Sequence, residues 1–259
     1  MISKIGTIAL QRISNFFYAL GFFFHVLKET LLFLKRKQVG FKVLVMQIFF
    51  TGVEAISIVS LLALALGAVI ILQGLTILLQ FSQTQYIYII LIMIITKELG
   101  PILTAFIIIA RSGTAIATEL GNMVVSHEIE AYTAVGINPV SYLVVPRFLG
   151  VTLSLVILTL YFNFFGLFAS FLITQLFISI PFDEYFDNLL SVLNLSHILS
   201  SLIKSLVFGM IISIVSSYQG FKVRYASTEI PQVVIKAVVQ SIAFCVIADV
   251  MLVILFNQF

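Results

Sequence analysis

The stretch "AISIVSLLALALGAVIILQGLTILLQFSQTQYIYIILIMIIT", residues 55–96, contains no charged residue. A single helix needs about 20 apolar residues to cross a membrane, so this stretch is long enough for two. The polar cluster QFSQTQ at residues 80–85 suits a turn between them. The stretch therefore predicts two membrane-spanning helices, over about 55–79 and about 86–110.

The composition of the whole chain supports a membrane protein. Of its 259 residues, 61% are hydrophobic and 10% are charged, and the mean hydropathy is +1.18. A soluble domain is about half apolar and about a quarter charged. Long apolar runs favour helices over the alternating pattern of barrel strands, and three more such runs occur, at about 148–177, 197–220 and 231–256. We predict an all-α integral membrane protein with five transmembrane helices.

Basic residues lie on one side of the predicted topology. The chain before the first span and the loops after the second and fourth contain the following lysines and arginines: Lys4, Arg12, Lys28, Lys35, Arg36, Lys37, Lys42, Arg111, Arg147, Lys222 and Arg224. The loop 80–85 is uncharged, and 179–196 carries only acidic charges. Because basic loops stay in the cytosol, we predict a cytosolic N-terminus and an external C-terminus.

The N-terminal segment, residues 1–45, is apolar but interrupted. Its densest part, FFYALGFFFHVL, lies between Arg12 and Lys28, which is short for a span. Such a segment suits a helix in the membrane interface, with basic residues near lipid headgroups. We predict an interfacial helix, with a sixth span as the alternative, and assign residues 46–259 to one membrane domain.

Two adjacent charges fall about halfway along the second predicted span. Lys97 and Glu98 would each cost about 2.5–3.5 kcal/mol there unless they face protein or water. Pro101 removes a helical hydrogen bond, and Gly100 beside it loosens the backbone further. Because broken helices at membrane depth line cavities or lie buried in protein, we predict a break that borders a pathway.

Two further charges lie at matching depths. By the helical rise, Lys204 lies about 10 Å and Asp249 about 12 Å from the same end of their spans, so they are able to pair. A structural ion pair and a place in the pathway both remain open for them. The predicted pathway residues are Lys97, Glu98, Gly100, Pro101, Lys204 and Asp249.

The long loop 110–148 is too apolar for a free linker. Four of its residues recur at near-helical spacing: Glu119, Met123, Glu130 and Ala134. Gly136 and Asn138–Pro139 end that pattern. We predict a helix over about 119–136 on the cytosolic surface that meets a partner, with Glu128 and Glu130 alongside. A re-entrant or interfacial helix is the alternative.

The segment "KELGPILTAFIIIARSGTAIATELGNMVVSHEIEAYTAVGINPVSYLVVPR", residues 97–147, resembles the signature of the MlaE/YrbE permeases. These are membrane subunits of ABC transporters that move lipids. The resemblance covers nearly the whole chain, and the N-terminal 40 residues match only in character. It implies that Lys97, Glu98, Lys204, Lys236 and Asp249 lie in or near a lipid cavity and helix interfaces. It also implies that residues 128–136 form a coupling helix.

The resemblance further implies partners and a location. It implies a homodimer with phospholipid bound between the two copies, two P-loop ATPase subunits on the cytosolic loops and MCE-domain proteins on the outer face. ATP and magnesium would bind to the ATPase, and we expect no cofactor on this chain and no nucleic-acid partner. The membrane would be a bacterial inner membrane or, alternatively, a plastid inner envelope membrane.

The residues themselves leave other functions to weigh. The sequence has no G-x-x-x-x-G-K-[ST] loop, so we expect ATP hydrolysis in a separate subunit and no enzyme activity here. A proton- or ion-coupled secondary transporter or channel using Glu98 or Asp249 is the alternative, although such transporters usually show internal repeats. A membrane enzyme is disfavoured because the three histidines lie on separate segments.

Overall fold

The computed structural model describes residues 17–18, 20–32, 41–81, 85–177, 181–224 and 226–257. Every regular element in these ranges is helical. Five helices within them are long and apolar enough to cross a membrane, judged by length and composition. These spans one to five are Val43–Gly74, Tyr88–Val125, Val140–Phe177, Leu195–Gly220 and Ser227–Phe256. The predicted all-α membrane fold with five spans is confirmed.

The α-helices are numbered in chain order. They are α1 (20–32), α2 (Phe41–Gly52), α3 (Ile56–Phe81), α4 (Gln85–Leu91), α5 (Gly100–Ile108), α6 (Thr114–Val125), α7 (Glu128–Ala134), α8 (Val145–Phe177), α9 (Phe182–Val192), α10 (Leu195–Gly220) and α11 (Ile230–Asn257). Three π-helical segments, Ile92–Leu99, Ile109–Gly113 and Val140–Val144, join some of them into longer continuous helices. We call the two ends of the bundle the α7 end and the α9 end.

The first three spans differ from their predicted limits. Span one begins at Val43 instead of about 55, span two runs to Val125 instead of about 110, and span three begins at Val140 instead of about 148. The charges taken as span boundaries lie inside helices and are neutralised there. Arg111 pairs with Glu54, and Arg147 pairs with Glu119.

Close helix contacts at glycine place span three at the centre of the bundle. A Cβ on Gly67 of α3 would lie 2.2 Å from the backbone oxygen of Gly166 on α8, and one on Gly209 of α10 would lie 2.7 Å from Thr152 Cα. Small residues let membrane helices approach this closely. Span three is the most buried span and span five the least.

The described part of the N-terminal segment packs on the α7 end. Val26 of α1 is fully buried and clusters with Val144, Phe148 and Ile214 of spans three and four. The predicted N-terminal segment 1–45 lies partly outside the described residues, as do several of its basic side chains. Its interfacial placement stays a prediction.

Helix α9 was not predicted from the sequence. It covers the α9 end with Tyr185 and Leu189 buried against Tyr88 and Ile92 of span two. The Tyr185 hydroxyl lies 2.7 Å from Ser170 Oγ, and burial raises the pKa of Tyr185 to about 12. The signal was present, because apolar residues recur at positions 182, 185, 186 and 189, the period of an amphipathic helix.

Candidate functional site

Three charged residues predicted for the pathway meet inside the membrane-spanning bundle. Lys204 Nζ lies 2.5 Å from Glu98 Oε2 and 2.9 Å from Asp249 Oδ1. The three residues belong to spans two, four and five, so one lysine joins three helices. The predicted Lys204–Asp249 pairing is present, and Glu98 completes a group that we call the charge cluster.

The charge cluster is buried at its centre and open on one side. Lys204 has no exposed surface, whereas the side chains of Asp249 and Glu98 are 16% and 37% exposed. The contact with Glu98 is a directed hydrogen bond. Asp249 Oδ1 is buried without a hydrogen-bond partner among the described residues. Its contact with Lys204 is therefore an ion pair without the geometry of a hydrogen bond. With both carboxylates ionised, the cluster carries one net negative charge.

The predicted break at Gly100–Pro101 is wrong. Span two stays helical through both residues, and Leu99 and Gly100 keep right-handed helical angles. The preceding segment Ile92–Leu99 is π-helical, and the Gly100 N–H donates to the oxygen of Ile95. A π-helical adjustment of this kind re-satisfies backbone groups that a proline would free within a membrane helix. Single π-helical turns are frequent at functional sites.

Gly100 allows spans two and three to pack closely beside the charge cluster. A Cβ there would lie 2.1 Å from Oδ1 of Asn163 on α8. Asn163 in turn donates to Ser201 Oγ on α10 at 3.1 Å, and Thr104 Oγ1 lies 2.9 Å from Thr159 Oγ1. Polar contacts of this kind hold membrane helices together in one arrangement. Of these residues, only Gly100 was predicted for the site, and for a different reason.

The other two predicted lysines, Lys97 and Lys236, lie on spans two and five. Lys97 precedes Glu98 in the same π-helical segment and is partly buried. Lys236 is exposed on α11, one turn or two from its α7 end.

The predicted helix over 119–136 is two helices. His127 adopts φ 60° between α6 and α7, a left-handed conformation in which histidine is among the commoner non-glycine residues. Gly136, at φ 79°, ends α7 as predicted. Its N–H donates to Thr133 O and that of Ile137 to Tyr132 O, which is the Schellman arrangement.

The split separates the residues predicted for one docking face. Glu119 Oε2 on α6 lies 2.9 Å from Arg147 Nη2, and the Arg147 side chain is 5% exposed. Met123 packs against the main hydrophobic core. These two residues therefore fasten α6 to the bundle.

Helix α7 and the turn after it remain open to a partner. No residue of α7 is buried, and Val135 is 72% exposed. The exposed residues include four that were predicted for docking: Glu128, Glu130, Ala134 and Gly136. An exposed apolar residue rimmed by polar ones is typical of an interaction surface.

Residues 44–255 match the MlaE permease family, which covers most of the chain. The chain belongs to the MlaE permease family. It is 29% identical to a probable ABC transporter permease protein of Rickettsia typhi over 78% of both chains. It is 25% identical to the intermembrane phospholipid transport system permease protein MlaE of Haemophilus influenzae over 93% of this chain and 91% of that one. It is 33% identical to the chloroplastic protein TRIGALACTOSYLDIACYLGLYCEROL 1 of Arabidopsis thaliana over 61% of this chain and 45% of that one.

Sequence reasoning missed the ion pair between Glu54 and Arg111 of this MlaE permease. Glu54 lies in the 3₁₀ turn Val53–Ala55 within span one and pairs with Arg111 of span two. The available signal was that Glu54 is the last charge before the uncharged stretch 55–96. A carboxylate at that position needs a partner, and Arg111 was counted as a loop residue instead.

Proposed function

We propose that this MlaE permease is the membrane subunit of an ATP-driven phospholipid transporter and works as a homodimer. The observation that carries the proposal is the charge cluster, because a lysine with no exposed surface joins three spans while Glu98 remains 37% exposed. Ionisable residues inside membrane spans commonly mark substrate pathways. Apolar walls would hold acyl chains while the cluster lies near the headgroup.

The exposed surface of span five supports a partner within the membrane. Helix α11 carries large exposed apolar side chains along its length: Ile235, Val239, Ile242, Phe244, Val246, Ile247, Val250, Met251, Ile254 and Leu255. A second copy against this span would enclose the open side of the charge cluster. The lipid cavity would then lie between the two copies.

The exposed helix α7 supports the docking of a separate subunit that supplies the energy for transport. A P-loop ATPase subunit, holding ATP and magnesium, would dock on α7, and MCE-domain proteins would bind at the α9 end. The basic residues concentrated toward the α7 end support a cytosolic position for that end. The membrane would be a bacterial inner membrane, and the phospholipid transport named for the Haemophilus influenzae relative supports that choice over a plastid envelope.

Glu98→Gln should lower ATP-dependent lipid transfer while the protein still assembles. Glutamine keeps a hydrogen-bond acceptor for Lys204, and Asp249 remains to pair with it, so the loss is mainly the exposed negative charge. The measurement is transfer of a fluorescent phospholipid between vesicles by the transporter reconstituted with its ATPase. Glu229→Gln, outside the cluster, is the matched control. Wild-type transfer by Glu98→Gln would remove the cluster from the lipid path, and a pH-driven flux without ATP would favour the secondary transporter.

Val135→Asp should abolish most ATPase docking without unfolding the permease. Val135 is 72% exposed on the chain alone, and a charge there would have to be buried in the interface. The measurement is the amount of ATPase that co-purifies with the tagged permease. Leu190→Asp on α9, where Leu190 is 59% exposed, tests the same change at the other end. Equal ATPase recovery from both variants would contradict docking at α7.

A further inference from the structure

A second polar site lies at the α7 end, away from the charge cluster. A cavity of about 340 Å³ opens between α2 and α6, and we call it the α2–α6 pocket. Its size is at the lower end of the range for small-ligand sites, about 300–1,000 Å³. That volume suits a polar headgroup rather than a whole lipid.

Charged groups of both signs line the α2–α6 pocket. Glu54, Arg111 and Glu119 lie in its wall, together with Thr51 and Ser112. Arg111 Nη2 pairs with Glu54, while Arg111 Nη1 is buried and has no hydrogen-bond partner among the described residues. The Arg111 side chain nevertheless keeps 30% of its surface exposed, and a guanidinium binds a phosphate well because it donates charge-assisted hydrogen bonds.

The carboxylates decide which phosphate ligand fits. Glu54 and Glu119 are 42% and 52% exposed, so each keeps accessible surface for a further donor. Arg147 lies behind Glu119 and brings the local charge to zero. A purely anionic ligand would meet two carboxylates, whereas a zwitterion offers phosphate to Arg111 and a cation to the glutamates. A primary ammonium fits better than a quaternary one, because only the former donates hydrogen bonds.

The level of the pocket in the membrane points to the source of the ligand. Glu54 is the one charged residue of span one, Val43–Gly74, and lies in the half of that span nearer the α7 end. Arg111 lies about 20 Å from Glu98 along span two by the helical rise, beyond half the thickness of a hydrocarbon core of about 30 Å. Phe50, which is 51% exposed, lies in the pocket wall beside these charges. The pocket is therefore at headgroup depth with apolar surface next to it.

We propose that the α2–α6 pocket binds the headgroup of a phospholipid with a primary ammonium, of the phosphatidylethanolamine class, from the leaflet at the α7 end. The Arg111 guanidinium donates to the phosphate, and Glu119 and Glu54 accept from the ammonium. The site is separate from the charge cluster, so one lipid bound here leaves the proposed transport cavity free.

The experiment uses the purified full chain in nanodiscs of phosphatidylcholine. They contain a small fraction of phosphatidylethanolamine with a diazirine on an acyl chain near the glycerol, and crosslinks are mapped by mass spectrometry. We expect crosslinks at Phe50, Ala115 or Ile116, and about a tenfold loss of them in Arg111→Gln, the effect of one charge-assisted hydrogen bond. Phosphatidylglycerol and phosphatidylcholine probes should label these positions much less.

A steric variant keeps the test valid should Arg111→Gln fold poorly. Ala115→Trp fills the pocket from an exposed position of its wall and leaves the Glu54–Arg111 pair in place. It should abolish the same crosslinks, whereas Ala131→Trp, at an exposed position on α7, should not. Unchanged labelling in Ala115→Trp, or equal labelling by the phosphatidylglycerol probe, would overturn the proposal.

One further arm separates a lipid from a soluble ligand with the same chemistry. Glycerophosphoethanolamine at the concentration of the probe should not reduce crosslinking, because it lacks the acyl chains that hold the headgroup at the membrane. Displacement at that concentration would assign the pocket to a soluble ligand and overturn the lipid assignment. Lipid transfer is not measured here, so failure of this proposal leaves the proposed function standing.

Discussion

Lys204→Met should lower the free energy of unfolding by about 3–5 kcal/mol, the usual cost of breaking a buried ion pair by removing one partner. Lys204 is fully buried and lies within 2.9 Å of two carboxylates. Without it, Glu98 and Asp249 repel each other inside the bundle. The measurement is the midpoint of thermal unfolding in detergent. Lys236→Met, at an exposed position on α11, should change the midpoint little.

A triple variant separates stability from transport. Lys204→Met combined with Glu98→Gln and Asp249→Asn removes all three charges, and buried ion groups are often replaceable by neutral ones without loss of stability. We expect the triple variant to regain most of the lost stability and to remain inactive in lipid transfer. Were the single variant as stable as wild type, the cluster would not hold spans two, four and five together. Were the triple variant active, its charges would not serve transport.

Gly67→Val should disrupt the packing of span one on span three. The Cβ would lie 2.2 Å from the backbone oxygen of Gly166 and 3.0 Å from Ala169 Cβ, and backbone cannot move aside as a flexible side chain can. Overpacking costs about 1–3 kcal/mol, occasionally more, and we expect the upper end or beyond. The measurement is the fraction of folded protein remaining after a heating series, read by size-exclusion chromatography.

The same helix supplies the control for Gly67→Val. A Cβ on Gly74 of α3 meets nothing within 4 Å, so Gly74→Val changes the helix propensity in the same way without a clash. The difference in folded fraction between the two variants therefore measures the steric clash between α3 and α8, separately from the change in helix propensity. Equal losses in both would mean that the close approach of α3 and α8 does not contribute to stability.

The number and type of the spans followed from the sequence because hydropathy is a local property. Residues 55–96 are uncharged over a length that only two membrane helices explain, and the structure has spans one and two there. Gly136 ended α7 as predicted because a positive φ is a property of a single residue. The family resemblance also followed from a contiguous segment, residues 97–147, which lies within the matched range 44–255.

Charged residues misled the predicted boundaries. Arg111 and Arg147 were assigned to a loop because an unpaired charge in a membrane helix is costly, yet each pairs with a glutamate that makes the helix position acceptable. Glu54 and Arg111 are 57 residues apart, so neither reveals the other. The Gly100–Pro101 break was wrong for a similar reason: a π-helical turn absorbs the proline, and the need of Gly100 for space comes from Asn163 on another span.

The sequence by itself determined that the chain is a helical membrane protein with five apolar spans, and that Glu98, Lys204 and Asp249 place charge inside them. Only the tertiary structure decided that Glu98 shares Lys204 with Asp249, that Glu119 pairs with Arg147, and that Arg111 lines a pocket. The physical reason is that apolar length and helical rise fix the depth of a residue in the membrane. Its direction around the helix, and the neighbour it meets, depend on how the spans pack.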